Sequence, residues 1–254
     1  MPAEGESVSL RGLLRSQPDR GRRPRILFVA VLAAVLAGCA PATHRQTPEL
    51  RREADKSPRI VVMPLDVELS QLTAGGMQEP HAEWTDAALK HMRAALEEEA
   101  RARKVRLVDF HPERGSPADR ETILDLVKLH RAVGGAVLVH QYLPGLALPS
   151  KDGKLDWSLG PAVTAIARSH EADYALFLFV RDSYATAGRV AVIVVGALLG
   201  VGVPGGTQVG FATVVDLNTG DIAWFNRLVR PQGDLRTPEA AGETVKALVS
   251  DAMQ

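Results

Sequence analysis

Apolar residues recur along this chain in two rhythms, one near every second residue and one every three to four. Arg59-Ile60-Val61-Val62-Met63-Pro64-Leu65 is a short β-rich run that Pro64 closes. A loop through Gly75, Gly76 and Pro80 follows. Between His81 and Lys104 the rhythm changes: Leu89, Met92, Leu96 and Ala100 recur at spacings of three and four, and Trp84, Ala88 and Ala95 widen the stripe. That period predicts an amphipathic helix, with Glu97, Glu98, Arg101 and Arg103 mostly on its polar side. Val105 to Phe110 predicts a second strand, so the domain opens β-α-β with a helix crossing one sheet face.

Ser116-Pro117-Ala118-Asp119 offers an N-cap, a proline at the first helical position and an early acid. It predicts a helix to about Val133, with Ile123, Leu126, Val127 and His130 on one face. Gly134-Gly135 reads as its end, and Ala136 to Tyr142 (AVLVHQY) as a third strand. Gly160-Pro161 opens a short helix to His170. The most apolar part of the chain, Ala172 to Phe225, then begins. Asn218-Thr219-Gly220-Asp221 forms a turn between strands Val209 to Leu217 and Ile222 to Val229. Ala241, Val245, Leu248, Val249 and Ala252 mark a closing helix between Glu239 and Met253. The pattern predicts one α/β domain over residues 58–254, a two- or three-layer mixed β-sheet with flanking helices, a size usual for a single core.

Within that apolar part, Gly188 to Gly206 interrupts the strands, and Val190 to Val203 is fourteen residues without a polar side chain. The run is short for a membrane span, which needs about 18–20 residues. A buried hairpin or helix is the simplest reading. The alternative is a surface offered to a partner or a membrane, because large exposed apolar patches mark interaction sites. Val190, Val194, Leu198, Leu199 and Val203 are then the candidate contact residues.

The first 38 residues follow different rules. Arg20, Arg22, Arg23 and Arg25 precede an uninterrupted apolar run, Ile26 to Ala37, that ends at small residues. That is the layout of a secretory signal peptide. Its basic region is long, which admits a translation start downstream of Met1. Residues 39–57 are polar, contain two prolines and lack an apolar period, so they read as a tether. The whole chain balances 30 Lys and Arg against 30 Asp and Glu. Setting aside the six arginines and three acids of residues 1–38 leaves 24 basic against 27 acidic side chains, a net charge of −3. No clustered basic footprint for nucleic acid is present, so no nucleic-acid partner is expected. Cys39 is the sole cysteine, which excludes an intramolecular disulfide.

Leu36-Ala37-Gly38-Cys39 resembles the lipobox of bacterial lipoproteins. The resemblance implies diacylglycerol on the Cys39 thiol, cleavage before Cys39 and acylation (palmitate) of the new amino terminus. Each buried CH₂ contributes on the order of 0.8 kcal/mol, so two or three chains anchor stably. Ala40, where an Asp would retain the protein at the inner membrane, implies sorting to the outer membrane, facing the periplasm.

A second resemblance lies in Ala172-Asp173-Tyr174-Ala175-Leu176 and in Val215-Asp216-Leu217-Asn218-Thr219-Gly220-Asp221-Ile222-Ala223-Trp224. Together with the β-α-β start, these segments resemble envelope lipoproteins of the fold group shared by the TolB amino-terminal domain, the curli-secretion lipoprotein CsgG and the penicillin-binding-protein activator LpoB. There the Ala-Asp-aromatic segment starts a central strand and the Val-Asp-x-x-Thr-Gly segment supplies the next hairpin. The resemblance spans residues 58–229 and implies a fold and an envelope location. Most of those proteins bind or assemble, and no functional residue carries over.

Other constellations are weak. Gly200-Val201-Gly202-Val203-Pro204-Gly205 matches G-x-G-x-x-G, but a dinucleotide loop needs a helix directly after it, and a strand-like segment follows here. Neither H-E-x-x-H nor G-x-S-x-G occurs, and His81, His91 and His111 lack metal-ligand spacing. Ser169-His170-Glu171 sits at a helix end, too close in sequence to converge as a triad. Arg181-Asp182-Ser183-Tyr184 reads as a strand terminus. The expectation is a lipid-anchored, non-catalytic binding or assembly module without cofactor or metal. It meets the membrane through Cys39 and an envelope protein or further copies of itself through its domain. The alternatives are an envelope-polymer hydrolase using His140 or His170, and a secretion component whose insert 188–206 contacts membrane or partner.

Overall fold

A computed structural model of the chain describes residues 44–47, 58–231, 234–249 and 251–252. The signal peptide predicted over residues 1–38 and the lipobox-like Cys39 lie outside the described residues. In chain order the strands are β1 (His44–Gln46), β2 (Arg59–Val62), β3 (Asp66–Leu72), β4 (Gln78–Pro80), β5 (Arg106–Asp109), β6 (Tyr174–Ala185), β7 (Gln208–Asp216) and β8 (Ile222–Arg230). The helices are α1 (Ala82–Ala102), α2 (Pro117–Tyr142), α3 (Thr164–His170), α4 (Ala187–Leu198) and α5 (Pro238–Val249).

The described strands form one mixed sheet in the order β1-β8-β7-β6-β2-β5, with β3 pairing both β6 and β4. The twelve-residue β6 is paired on both edges over most of its length. β7 runs antiparallel beside it from Tyr174↔Asp216 to Asp182↔Gln208. On the other edge β2 pairs with Tyr174 to Leu176, and β3 takes over from Phe179 to Ala185, both parallel. β2 and β3 are therefore two segments of one path, interrupted around Pro64, which cannot donate to a ladder. The β2-α1-β5 crossover is parallel, Arg59↔Arg106 to Val62↔Asp109, as the opening pattern predicts.

Alternation along the strands sorts side chains to two faces. Ile60, Val62, Tyr174, Leu176, Leu178 and Val180 pack with Ala88, Met92 and Leu96 of α1 and Val245 and Leu248 of α5. Val61, Met63, Ala175 and Phe177 pack with Ile123, Leu126 and Val137 of α2 and Ile166 of α3. The architecture is three-layered, helices on both faces of the sheet, which is the α/β class expected with the layer number decided.

Three expectations are corrected. The strand predicted at Ala136 to Tyr142 is helix: α2 runs without a break through Gly134-Gly135 to Tyr142. Gly134 serves packing rather than termination, since a Cβ there would lie 2.2 Å from Cε2 of Phe211, and Val137 is fully buried one turn on. The loop predicted after Pro64 holds β3, where Val67 and Leu69 are buried and Glu68 is only partly so. Charged residues and a proline mask a true two-residue alternation there. Within the predicted tether, His44–Gln46 forms β1 antiparallel to β8, His44↔Asn226 to Gln46↔Trp224, and Thr47 N donates to Ala223 O at 2.8 Å. A polar sequence can be held this way because an edge strand needs only backbone hydrogen bonds.

Local chemistry explains the helix starts. Ser116 and Asp119 form a reciprocal capping box at α2: Asp119 N donates to Ser116 Oγ at 3.1 Å and Ser116 N to Asp119 Oδ2 at 3.3 Å. His130, on the buried face of α2, is 2.9 Å from Thr213 Oγ1 and stacks on Phe177 with centroids 4.4 Å apart. Burial lowers its pKa from the ordinary 6.5 to about 3.

Two outcomes follow for stability. Gly134→Ala destabilises by about 1–3 kcal/mol in urea unfolding through overpacking against Phe211. Gly135→Ala, with nothing within 4 Å of its Cβ position, is neutral or stabilising by up to about 1 kcal/mol through helix propensity. A chain with a turn and strand at this place would not separate the two glycines that way. His130 stays neutral in the folded protein and takes a proton when unfolded, so stability is full above pH 6.5 and falls as pH drops from 6.5 toward 3. The limiting slope is about 1.4 kcal/mol per pH unit per proton. Chemical unfolding between pH 5 and 6.5 gives a shallower slope for His130→Gln than for the wild type.

Candidate functional site

The apolar insert leaves the sheet between β6 and β7, at one end of both. It is a helix, α4, followed by a loop, Leu199 to Thr207, that returns to β7. Its valines are β-branched and favour strand. Thr186 overrides them at the start: its Oγ1 accepts from Arg189 N at 3.2 Å, an N-cap, and donates to Leu72 O at 3.1 Å. At the far end Leu199 N bonds Val195 O and Val201 N bonds Gly196 O at 2.8 Å, with Gly200 at φ +74° turning the chain back.

The expectation of a buried hairpin or helix is overturned. Of the candidate contact residues, Val190, Val194, Leu198 and Leu199 are exposed, Leu198 to 82% and Leu199 to 75%. Val203 departs from the set: it is half-buried against Gly196, whose Cβ position lies 2.8 Å from Val203 Cγ2. The underside of α4 is thus sealed by its own return loop, and its outer face has no cover among the described residues. No helix among them is long and apolar enough to cross a membrane.

Arg189 is the one charged side chain between Ala187 and Thr207, and it ties α4 to the neighbouring turn. Its Nε donates to Pro204 O at 3.0 Å and its Nη1 to Ala74 O at 3.4 Å. Ser183 N bonds Thr207 O, and Thr207 N bonds Ser183 Oγ, both at 3.0 Å. Gly206, at φ +148°, has its missing Cβ 2.2 Å from Ser183 O, so the return loop crosses β6 where no side chain fits. Below lies a polar brace: Asp182 Oδ2 accepts from Tyr184 Oη and from Gln208 Nε2 at 3.0 Å. Burial pushes the Asp182 carboxyl above the usual carboxylate range and the Tyr184 phenol above its ordinary value. Arg181, on the opposite sheet face, pairs with Asp66 at 2.7 Å. The Arg181-Asp182-Ser183-Tyr184 segment thus braces the root of α4.

Two further exposed apolar residues belong to this end. Met77, 66% exposed, lies in the β3–β4 connection that touches Arg189, and Val229, 63% exposed, faces Val209 across β7 and β8. Thirteen large apolar side chains are exposed among the described residues; seven lie between Val190 and Val201, and Met77 and Val229 make nine at one end of the sheet. Sequence reasoning missed Met77 and Val229 because each sits singly between polar neighbours, and only the strand register brings them to the insert.

The histidines considered for hydrolysis are placed elsewhere. His140 lies in α2 rather than in a strand, with Nδ1 2.7 Å from Leu146 O. His170 is buried at the end of α3, where its Nε2 accepts from His111 N at 3.0 Å and its ring stacks on Phe110. Ser169 Oγ donates back to Ala165 O, and Asp173 accepts from Arg59 N. No group of His, Cys, Asp or Glu that could hold a metal forms among the described residues. After Gly200 to Gly205 the chain enters β7, so the glycine pattern lacks the helix a dinucleotide loop requires.

Arg189→Ala removes two of the hydrogen bonds that hold α4 in place, to Pro204 O and Ala74 O, each worth about 1.5–3 kcal/mol when one partner is charged. Amide exchange across Val190–Leu198 accelerates tenfold or more, while the slowest-exchanging amides of β6 and β7 keep their protection. Equal acceleration in both places would mean that Arg189 supports the whole domain rather than this helix.

No family model matches the chain. No curated protein matches it either. Solved structures similar to it include a PelC dodecamer from Paraburkholderia phytofirmans, with 13% identity over 76% of this chain and 86% of that one and a TM-score of 0.32. The lipoprotein GNA1162 from Neisseria meningitidis shows 13% identity over 68% and 79% of the two chains, with a TM-score of 0.27. The LpoB C-terminal domain from Salmonella enterica shows 16% identity over 72% and 96%, with a TM-score of 0.25. At these overlaps the likeness carries nothing over to this chain.

Proposed function

We propose that this chain is a lipid-anchored lipoprotein of the bacterial cell envelope, held by Cys39 at the outer membrane and facing the periplasm. It works without catalysis, as a binding or assembly module, through the surface that α4 presents. The observation that carries the binding reading is the exposed outer face of α4: leucines and valines held out from the sheet by a capped helix, a sealed underside and the Arg189 tie. Apolar surface of this kind is costly to leave in water, and burial of each such side chain returns roughly 1.5–3 kcal/mol. The anchor is supported by the basic region, apolar run and Leu36-Ala37-Gly38-Cys39 of the leader. His140 and His170, the residues a hydrolase reading draws on, are engaged in hydrogen bonds to Leu146 O and His111 N.

Two measurements test the two halves. Metabolic labelling with an alkyne fatty acid marks the wild type and leaves Cys39→Ala unmarked; retained label on Cys39→Ala overturns the anchor. In cells with a permeabilised outer membrane, Leu198→Cys reacts at least tenfold more slowly with an aqueous maleimide than Asn218→Cys, at the exposed β7–β8 turn. Equal rates would place α4 in water and remove the binding reading.

A further inference from the structure

We infer that the component bound by α4 is the phospholipid leaflet that holds the Cys39 acyl chains, an inference that rests on the lipid-anchored reading above. The first ground is strand direction. β1 is antiparallel to β8, with His44 opposite Asn226 and Gln46 opposite Trp224, so the chain enters β1 from the side of Arg230. Arg230 pairs with Gln208, and Gln208 directly follows the return loop of α4. The chain coming from the anchor and the apolar helix therefore leave the sheet at the same end.

The second ground is reach. Four residues lie between Cys39 and His44, five Cα–Cα steps, so whatever path they take, the acylated cysteine stays within about 18 Å of His44. Along β8, Asn226 to Arg230 is four residues, about 14 Å of strand. That reach is enough for the acyl chains to pass the end of the sheet from which α4 projects. With His44–Gln46 paired in the sheet, only the four residues after Cys39 are left as tether.

The third ground is the chemistry of the face. Between Val190 and Val201 no side chain carries a charge or a hydrogen-bonding group, and the exposed positions fill more than half of the helix circumference. A protein groove that received this helix would normally supply a polar rim; a hydrocarbon layer needs none. Met77 and Val229 extend the apolar surface on either side of the root. Arg189, with Arg230 at the end of β8, stands at that root, where cations meet lipid phosphates. The helix is about 18 Å long, against a hydrocarbon core of about 30 Å, so it enters one leaflet and does not cross.

The test uses the full-length acylated chain purified from membranes, with its Cys39 thiol blocked by the lipid. Leu198→Cys, Leu199→Cys and, as control, Asn218→Cys are each labelled with an environment-sensitive fluorophore and reconstituted into phosphatidylethanolamine–phosphatidylglycerol vesicles. The labels at 198 and 199 shift to the blue and lose most of their emission when the lipid acyl chains carry bromine; the label at 218 does neither. Acylated protein whose 198 and 199 labels keep their emission overturns the inference and leaves the binding reading standing. The same holds if those labels shift to the blue without quenching, which assigns the face to a second copy of the chain. Labels that are shielded in cells but fully aqueous in vesicles assign it to a protein partner and also overturn it. If mass spectrometry finds no acyl group on Cys39, the anchor reading falls, and this inference with it.

Discussion

The pairing of β6 along both of its edges is the constraint on which the rest of the structure depends. β6 bonds to β7 from Tyr174 to Asp182 on one side, and to β2 (Tyr174 to Leu176) and then β3 (Phe179 to Ala185) on the other. A strand paired on both edges spends most of its backbone groups on the sheet, and its alternating side chains supply both hydrophobic layers at once. Tyr174, Leu176, Leu178 and Val180 call for α1 and α5; Ala175 and Phe177 call for α2 and α3. Removing β6 would leave two separate half-cores and no continuous sheet.

That same enclosure decides what happens where β6 ends. Past Ala185 the chain cannot continue into the sheet, and the return to β7 must begin at Gln208, so residues 186–207 are extruded at one end. Their composition is apolar, yet neither core layer extends that far. The helix is consequently braced by polar and backbone contacts, Thr186 to Leu72, Arg189 to Ala74 and Pro204, Thr207 to Ser183, rather than by burial of its own leucines. The segment is held by polar groups at its root and bare at its face.

Much of the fold was legible in the pattern of residues. The stripe of Leu89, Met92, Leu96 and Ala100, the Ser116 N-cap and the Asn218-Thr219-Gly220-Asp221 turn all rest on local physics that acts within a few residues, and each is found where it was expected. The failures share a cause in contacts made at long range. Gly134 reads as a helix end until Phe211, from a strand more than seventy residues later, occupies the space its side chain would need. Asp66–Leu72 reads as a loop until β6 offers it an edge. His44–Gln46 reads as tether until β8 does the same.

For the candidate site the division is similar. Sequence by itself determined that Val190 to Val203 is uncharged, that it is short for a span, and that a lipobox-like Cys39 stands at the head of the chain, because composition and spacing need no folding to be read. Whether the apolar run is buried or bare was decided only by tertiary structure, since that depends on where the two core layers stop. Tertiary structure alone also brought Met77 and Val229 beside α4 and pointed the entry of β1 toward the same end. Strand direction and register are set by pairing between distant segments, and no local pattern encodes which end of a sheet a distant segment will share.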